Sequence, residues 1–301
     1  MSVPQTPEHW ANILTKILDV MPVQDYQRFP VDVIELAKQY SAQRFPGDQI
    51  SLVKGAALDD FEGALYKAPA GKEGWGIIYN SDLGSVGRIN FTVAHEFGHY
   101  LLHREKFPNG FECNEDDMLR WDSEYGRIEN EANRFAANLL MPLNDFRQQI
   151  DPRIKPTLEM LSDCANRYSV SLIAVTLRWL EYTECRSVLV VSRDGFILWS
   201  RSSERALRSG VYFRTSGSAP LPVPNNSFAV SAGSSLASKS SISHEGGVWF
   251  KDKCVELALI SAQYDLVFSL IHLENQQTDD VGDNEDEEDI SHRINRLHGL
   301  E

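Results

Sequence analysis

Apolar positions change their spacing once along the chain. Up to about residue 182 they recur mainly at three- and four-residue intervals, the period of amphipathic helices. The first 40 or so residues read as helical, with VDVIELAKQY (31–40) the clearest stripe. Two short runs interrupt the helices, FEGALYK (61–67) and GWGIIYN (74–80), and the loop APAGKEG between them suits a hairpin or a short excursion. RINFTVAHEFGHYLLH (88–103) follows as a long buried helix, then a polar, acid-rich stretch over 104–127 that predicts loop or short helix. RIENEANRFAANLLM (127–141) is a second strong helix, stopped by Pro142. Residues 157–182 read as two short helices, with Ser169 or Ser171 as N-cap of the second. From 187 the pattern becomes strand-like: SVLVVS (187–192), GFILWS (195–200), GVYFRT (210–215) and DLVFSLIHL (265–273). Between them, 215–247 holds ten serines with Pro220, Pro222 and Pro224, which predicts a long surface loop or partly ordered sheet edges.

The change of period predicts an α+β protein with a boundary near 185. Residues 1–185 form a mostly helical domain with a small sheet, and 186–273 a strand-rich module; 274–301 form an acidic tail expected to be disordered. A length of 301 residues agrees with two domains of roughly 150 each. The net charge of −14 is uneven, because residues 279–289 (DDVGDNEDEED) hold eight acids and no base. A net-negative body is poorly suited to phosphate contacts, which argues against direct nucleic-acid binding. Cys113, Cys164, Cys185 and Cys254 are scattered, with no Cys-x-x-Cys pair, so neither a disulfide framework nor a thiolate metal site is expected. No apolar run approaches the ~20 residues of a membrane helix, and MSVPQTPEHW lacks the features of a secretory signal. These features point to the cytoplasm.

The sharpest chemical feature is His95-Glu96-Phe97-Gly98-His99. On a helix, positions i and i+4 share a face about 6 Å apart along the axis, so two imidazoles can reach one Zn²⁺. Glu96 then stands beside the metal, placed to take a proton from an attacking water and pass it to a leaving amine. The apolar neighbours Phe91, Val93, Ala94, Phe97, Leu101 and Leu102 make incidental burial of three polar groups costly. Gly98 costs about 1 kcal/mol in a helix interior, so something is expected to pack closely against it. Leu102 and Glu105 exclude the metzincin pattern, which needs Gly and His there. His103 lies a further ~6 Å along the stripe, suited to packing or an outer hydrogen bond rather than ligation. A third ligand is needed, and helix 127–141 offers Glu129 and Glu131. Glu129 sits about 60° from the centre of that helix's apolar face and Glu131 about 100° away on the other side, which favours Glu129. Asn133, one turn on, can hydrogen-bond a ligand histidine.

The runs GRINFTVAHEFGHYLLH (87–103) and IENEANRFAANLLMP (128–142) resemble the ImmA/IrrE family of bacterial zinc metallopeptidases, over about residues 30–182. The resemblance implies a zincin-like peptidase domain, zinc on His95, His99 and Glu129, and Glu96 as general base. It also implies a protein substrate, a helix-turn-helix repressor whose cleavage releases genes for stress response or mobile-element excision. Some radiation-response members carry a GAF-like sensor where the strand-rich module stands. The pair 157–182 is itself similar to a helix-turn-helix. Its Arg167, Arg178 and Arg186 are offset by Glu159, Asp163, Glu181 and Glu184, which favours a packed helix pair over a DNA reader.

The reading is therefore a zinc endopeptidase with a regulatory or sensor module, through which a homodimer can form. GWGIIYN is expected to offer an edge to an extended substrate. A Tyr or His from 104–127 or from the second module is expected as oxyanion stabiliser. The alternative is a zinc-stabilised protein that docks a regulator or DNA without turnover. A latent phage-defence or toxin–antitoxin component is a third setting.

Overall fold

The computed structural model describes residues 6–20, 28–58, 61–113, 124–215, 219–231, 239–261 and 265–274. The acidic tail beyond 274 lies outside the described residues, as do 114–123 of the acid-rich stretch and 216–218 and 232–238 of the serine-rich one. The chain divides into two compact units, one containing residues up to Phe146 with Cys164–Ser171, the other Arg147–Asp163 and the chain from Leu172.

In chain order the first stretch contains α1 (Pro7–Val20), α2 (Val33–Arg44), β1 (Ile50–Ala56), β2 (Gly63–Lys67), β3 (Trp75–Asn80), α3 (Val86–His103), β4 (Gly110–Cys113) and α4 (Glu124–Leu140). Asp32 starts α2 by accepting the Glu35 N–H at 3.0 Å. Pro142 ends α4 and begins α5 (Leu143–Gln149), its carbonyl accepting the N–H groups of Asp145 and Phe146. α6 (Leu158–Tyr168) follows. The strands form a sheet in the order β1-β3-β2-β4, parallel between β1 and β3 and antiparallel elsewhere. β2 and β3 are the expected hairpin. β3 is paired on both sides, so GWGIIYN offers no edge to a substrate: β1, a strand that the sequence reading passed over, covers it.

α3 lies against β2, β3 and α4. It is buried on nearly every side, from Thr92 to Leu101 and again at His103. α4 turns Ile128, Ala132, Phe135, Ala136, Leu139 and Leu140 inward at helical spacing. The C-terminal end of α3 is tied to the sheet through Asp48 in the α2–β1 loop. Asp48 accepts Trp75 Nε1–H at 2.8 Å, Arg104 Nε–H at 3.1 Å and a bond from Lys67 Nζ, while its carbonyl accepts Tyr100 O–H at 2.8 Å. The Arg104 guanidinium also lies 4.1 Å from the Phe45 ring centre.

The second stretch contains α7 (Leu172–Leu180), β5 (Ser187–Arg193), β6 (Phe196–Ser202), α8 (Glu204–Arg208), β7 (Leu221–Pro222), α9 (Phe228–Ser231), β8 (Lys239–His244), β9 (Cys254–Ser261) and β10 (Leu266–Leu273). The sheet runs β7-β6-β5-β10-β9-β8, antiparallel throughout. Val188, Val190, Ile197, Trp249, Ile271 and Leu273 belong to one core cluster with Ala206 and Val223. GVYFRT (210–215) is not a strand. The Val211 N–H bonds to the Ala206 carbonyl and the Val211 carbonyl accepts Ser202 O–H, so its backbone is committed to the end of α8. β7 and β8, the two edge strands, lie in the serine-rich stretch that was expected to be a long loop or partly ordered sheet edges, whereas β9, which carries Glu256, was not anticipated. That glutamate is fully buried and fully used. It accepts His244 Nε2–H at 2.7 Å, Trp249 Nε1–H at 3.0 Å, Phe228 N–H at 3.1 Å and Ser269 O–H at 2.8 Å.

His272 on β10 is buried edge-on to Trp179, donating from Nε2 to the Pro156 carbonyl at 3.2 Å and accepting Ser187 O–H at Nδ1 at 2.8 Å. Burial first, and Lys155 second, push its pKa down to about 4 against the pull of the Pro156 bond. The unfolded chain, near 6.5, binds this proton more readily. Stability from His272 is therefore complete above pH 6.5 and lost as pH falls towards 4, by about 3 kcal/mol at most. Urea unfolding of the native chain and of His272→Gln between pH 7 and 4 checks this; the native profile should fall more steeply.

Candidate metal centre

Among the described residues, two helices supply the polar groups of the centre. α3 carries His95, Glu96, His99 and His103, and α4 carries Glu129, Glu131 and Asn133. Their approach is set by Gly98. A Cβ there would stand 2.9 Å from Phe135 Cδ1 and 3.3 Å from both the Cα and the carbonyl oxygen of Ala132. The helices touch backbone to backbone at that point, and Glu129 lies one turn before Ala132. The close packing expected at Gly98 is thus with α4, and it brings the Glu129 carboxylate up to the histidines.

His95 Nε2 lies 3.1 Å from Glu129 Oε2, and His99 Nε2 lies 3.3 Å from Glu129 Oε1. The two Nε2 atoms are 2.9 Å apart. All three side chains are buried, His99 completely. His95 turns its other ring nitrogen to Asn133 Oδ1 at 3.0 Å, an acceptor, so Nδ1 carries the proton and Nε2 presents a lone pair. Two imidazole nitrogens and a carboxylate thus converge on one point, with ligand atoms within 4.8 Å of one another. Such a donor set fits a divalent cation: the carboxylate neutralises charge, and the nitrogens have no apolar role to play there. Burial alone would raise the Glu129 carboxyl, but its place beside His95 and His99 holds it well below the usual carboxylate range. Burial pushes His99 down to about 3, which keeps that imidazole neutral. Among the described residues this is the group suited to hold a metal.

Glu96 is fully buried beside this point, on the side of α3 that meets β2. Gly63, at the start of β2, makes room for it. A Cβ at 63 would come within 2.5 Å of Thr92 Cγ2 and 2.9 Å of Glu96 Oε1. Gly63 was not singled out from the sequence, although a glycine inside a strand run is a usual sign of close backbone approach. His103 stands away from the ligand atoms. Its Nδ1 is 3.0 Å from His99 Nδ1 and its Nε2 3.0 Å from Glu131 Oε2. Glu131, set aside in favour of Glu129 as a ligand, thus has a contact of its own. Residues 114–123 of the 104–127 stretch, one of the places where an oxyanion donor was expected, lie outside the described residues. The three arginines of and after the 157–182 pair are all tied to acids: Arg167 to Asp145, Arg178 to Glu181 and Arg186 to Asp252.

Residues 54–180 match a peptidase family described as the IrrE N-terminal-like domain. The matched segment contains every residue of the centre just described. No curated protein matches the chain. Among the described residues, no helix is long and apolar enough to cross a membrane.

The Gly98 contact gives a direct test of the geometry. Gly98→Val should force α3 and α4 apart, cost about 1–3 kcal/mol of stability and weaken divalent-metal binding about tenfold or more. Competition with a chromophoric chelator measures the second effect, and thermal unfolding without metal the first.

Proposed function

We propose that this chain, which carries a metallopeptidase domain of the ImmA/IrrE family, is a zinc-dependent endopeptidase that cuts a regulatory protein. The observation that carries the proposal is the convergence of His95, His99 and Glu129, with Glu96 buried next to them on the same helix. The two-histidine, one-carboxylate set is a common catalytic arrangement for zinc, with one coordination position left for reaction. Zinc, when bound, supplies Lewis acidity: it polarises the scissile carbonyl and makes a water more acidic.

The chain's own residues do the rest. Glu96 takes the proton from the attacking water and delivers it to the leaving amine nitrogen, one carboxylate serving both steps. Gly63 leaves the space in which that carboxylate stands, so β2 sets its position. Asn133 holds His95 with Nε2 facing inward. Burial of His95, Glu96, His99 and Glu129 keeps bulk water out and strengthens their electrostatics.

The substrate class follows from the family resemblance: a helix-turn-helix repressor, cut in a stress, mobile-element or phage-defence response in the cytoplasm. The strand-rich region then serves as the regulatory module of a latent peptidase, in keeping with the boundary proposed near 185. Recognition of a protein rather than DNA is supported by Arg167, Arg178 and Arg186, whose charges are already paired with carboxylates.

Two variants test the proposal. Glu96→Gln should keep zinc and lose about 10²- to 10⁴-fold in turnover. Mapping new protein N-termini in bacteria producing the native chain or Glu96→Gln should reveal termini made only by the native chain, among them a cut in a repressor. Identical maps under inducing stress would count against a peptidase. Gly63→Ala should lower kcat about tenfold or more by displacing Glu96, with zinc affinity unchanged in a chelator competition.

A further inference from the structure

We infer that Glu131 is a positioning residue for the metal centre: acting through His103, it fixes the proton of His99 on Nδ1 and so frees His99 Nε2 to bind the cation. The inference rests on the metallopeptidase reading and deepens it. It assigns a role to a carboxylate that is not itself a ligand.

The argument is one of counting protons along a chain of three groups. Glu131 Oε2 is 3.0 Å from His103 Nε2. An ionised carboxylate only accepts, so that nitrogen must carry a proton. At the other end, a cation on His99 Nε2 needs a lone pair there, so the one ring proton of a ligating His99 sits on Nδ1. His103 Nδ1 is then the acceptor. That nitrogen lies 3.0 Å from His99 Nδ1, and the proton between them belongs to His99. The remaining nitrogen of His99, Nε2, is then a lone pair, and it is the atom that faces Glu129 and His95.

The opposite arrangement fails at both ends. With the proton on His103 Nδ1, the unprotonated Nε2 would face Glu131, two acceptors at 3.0 Å. His99 would then carry its proton on Nε2, where the cation must sit. Glu131 is the group that makes these arrangements unequal, because it is the one charged acceptor among the three. Its side chain is 31% exposed, against 4% for His103, so the chain begins at a partly solvated carboxylate and ends in a buried ligand. His95 reaches the same end by a different device, the neutral amide oxygen of Asn133. Both orienting residues come from α4, as Glu129 does, and at Glu131 and Asn133 they follow it by two and four positions.

The test uses the full chain loaded with zinc alone. In the native protein labelled with ¹⁵N-histidine, NMR should show the proton of His99 on Nδ1 and that of His103 on Nε2. Glu131→Ala should bind zinc about 10- to 100-fold more weakly, the range seen when outer partners of ligand histidines are removed. Glu131→Gln should restore most of the affinity and the native ring assignments, because its amide oxygen still accepts from His103 Nε2. Thermal midpoints without metal separate these effects from loss of fold. A His103 proton on Nδ1 in the native chain, or Glu131→Ala binding zinc within about twofold of native, would overturn the inference. Failure of the peptidase reading looks different. The zinc affinities and ring assignments would come out as stated, while no protein is cut by the native chain.

Discussion

The first unit depends on one contact, the backbone approach of α3 to α4 at Gly98 and Ala132. Glutamate has a short reach, and a ligand carboxylate must come within a few ångströms of two ring nitrogens. With a larger residue at 98 the helices would stand further apart and Glu129 would fall short. The glycine is unfavourable in a helix by about 1 kcal/mol taken alone, and it makes sense only through the pairing it permits. The contact also sets the register of α4, so the positions that follow Glu129 fall against the outer nitrogens of the histidines. The sheet contributes from the other side. Asp48 ties Tyr100 and Arg104 near the end of α3 to the loop before β1, and Gly63 admits the Glu96 carboxylate. α3 is thus held at its end by the sheet and along its length by α4.

What could be read in the sequence follows from what each signal measures. The spacing of His95 and His99 is a property of one helix, so it was legible without any knowledge of neighbours. The phase of α4 was also local, and it set Glu129 and Glu131 in different directions: one carboxylate faces the two Nε2 atoms and the other faces His103. What phase could not show is that an off-centre position can still meet a side chain from the facing helix. Glu131 was therefore set aside although it had a partner. Gly63 was missed for a similar reason, since its value lies in what crosses over it in space.

The strands divide the same way. β2, β3, β5, β6 and β10 carry apolar runs and were visible. β9 was hidden by Glu256, a residue that reads as solvent-facing until its four donors are in place. GVYFRT went wrong in the opposite sense. Its apolar and aromatic residues suit a strand, but Val211 is claimed by the end of α8 and by Ser202. Composition speaks to burial, and Val211 is indeed buried; hydrogen-bond partners decide whether a buried segment is a strand.

Buried charge is handled by one rule in both units, with different consequences. Glu256 accepts from four donors, three at Oε2 and one at Oε1, so it holds loops in place. Glu129 faces two nitrogens, at least one of which presents a lone pair, and that arrangement suits a cation. A carboxylate ringed by donors is a structural element, whereas a carboxylate among acceptors marks a binding site. The distinction rests on where the histidine protons lie, which places much of the chemistry of this centre on the outer partners from α4 as well as on the ligands themselves.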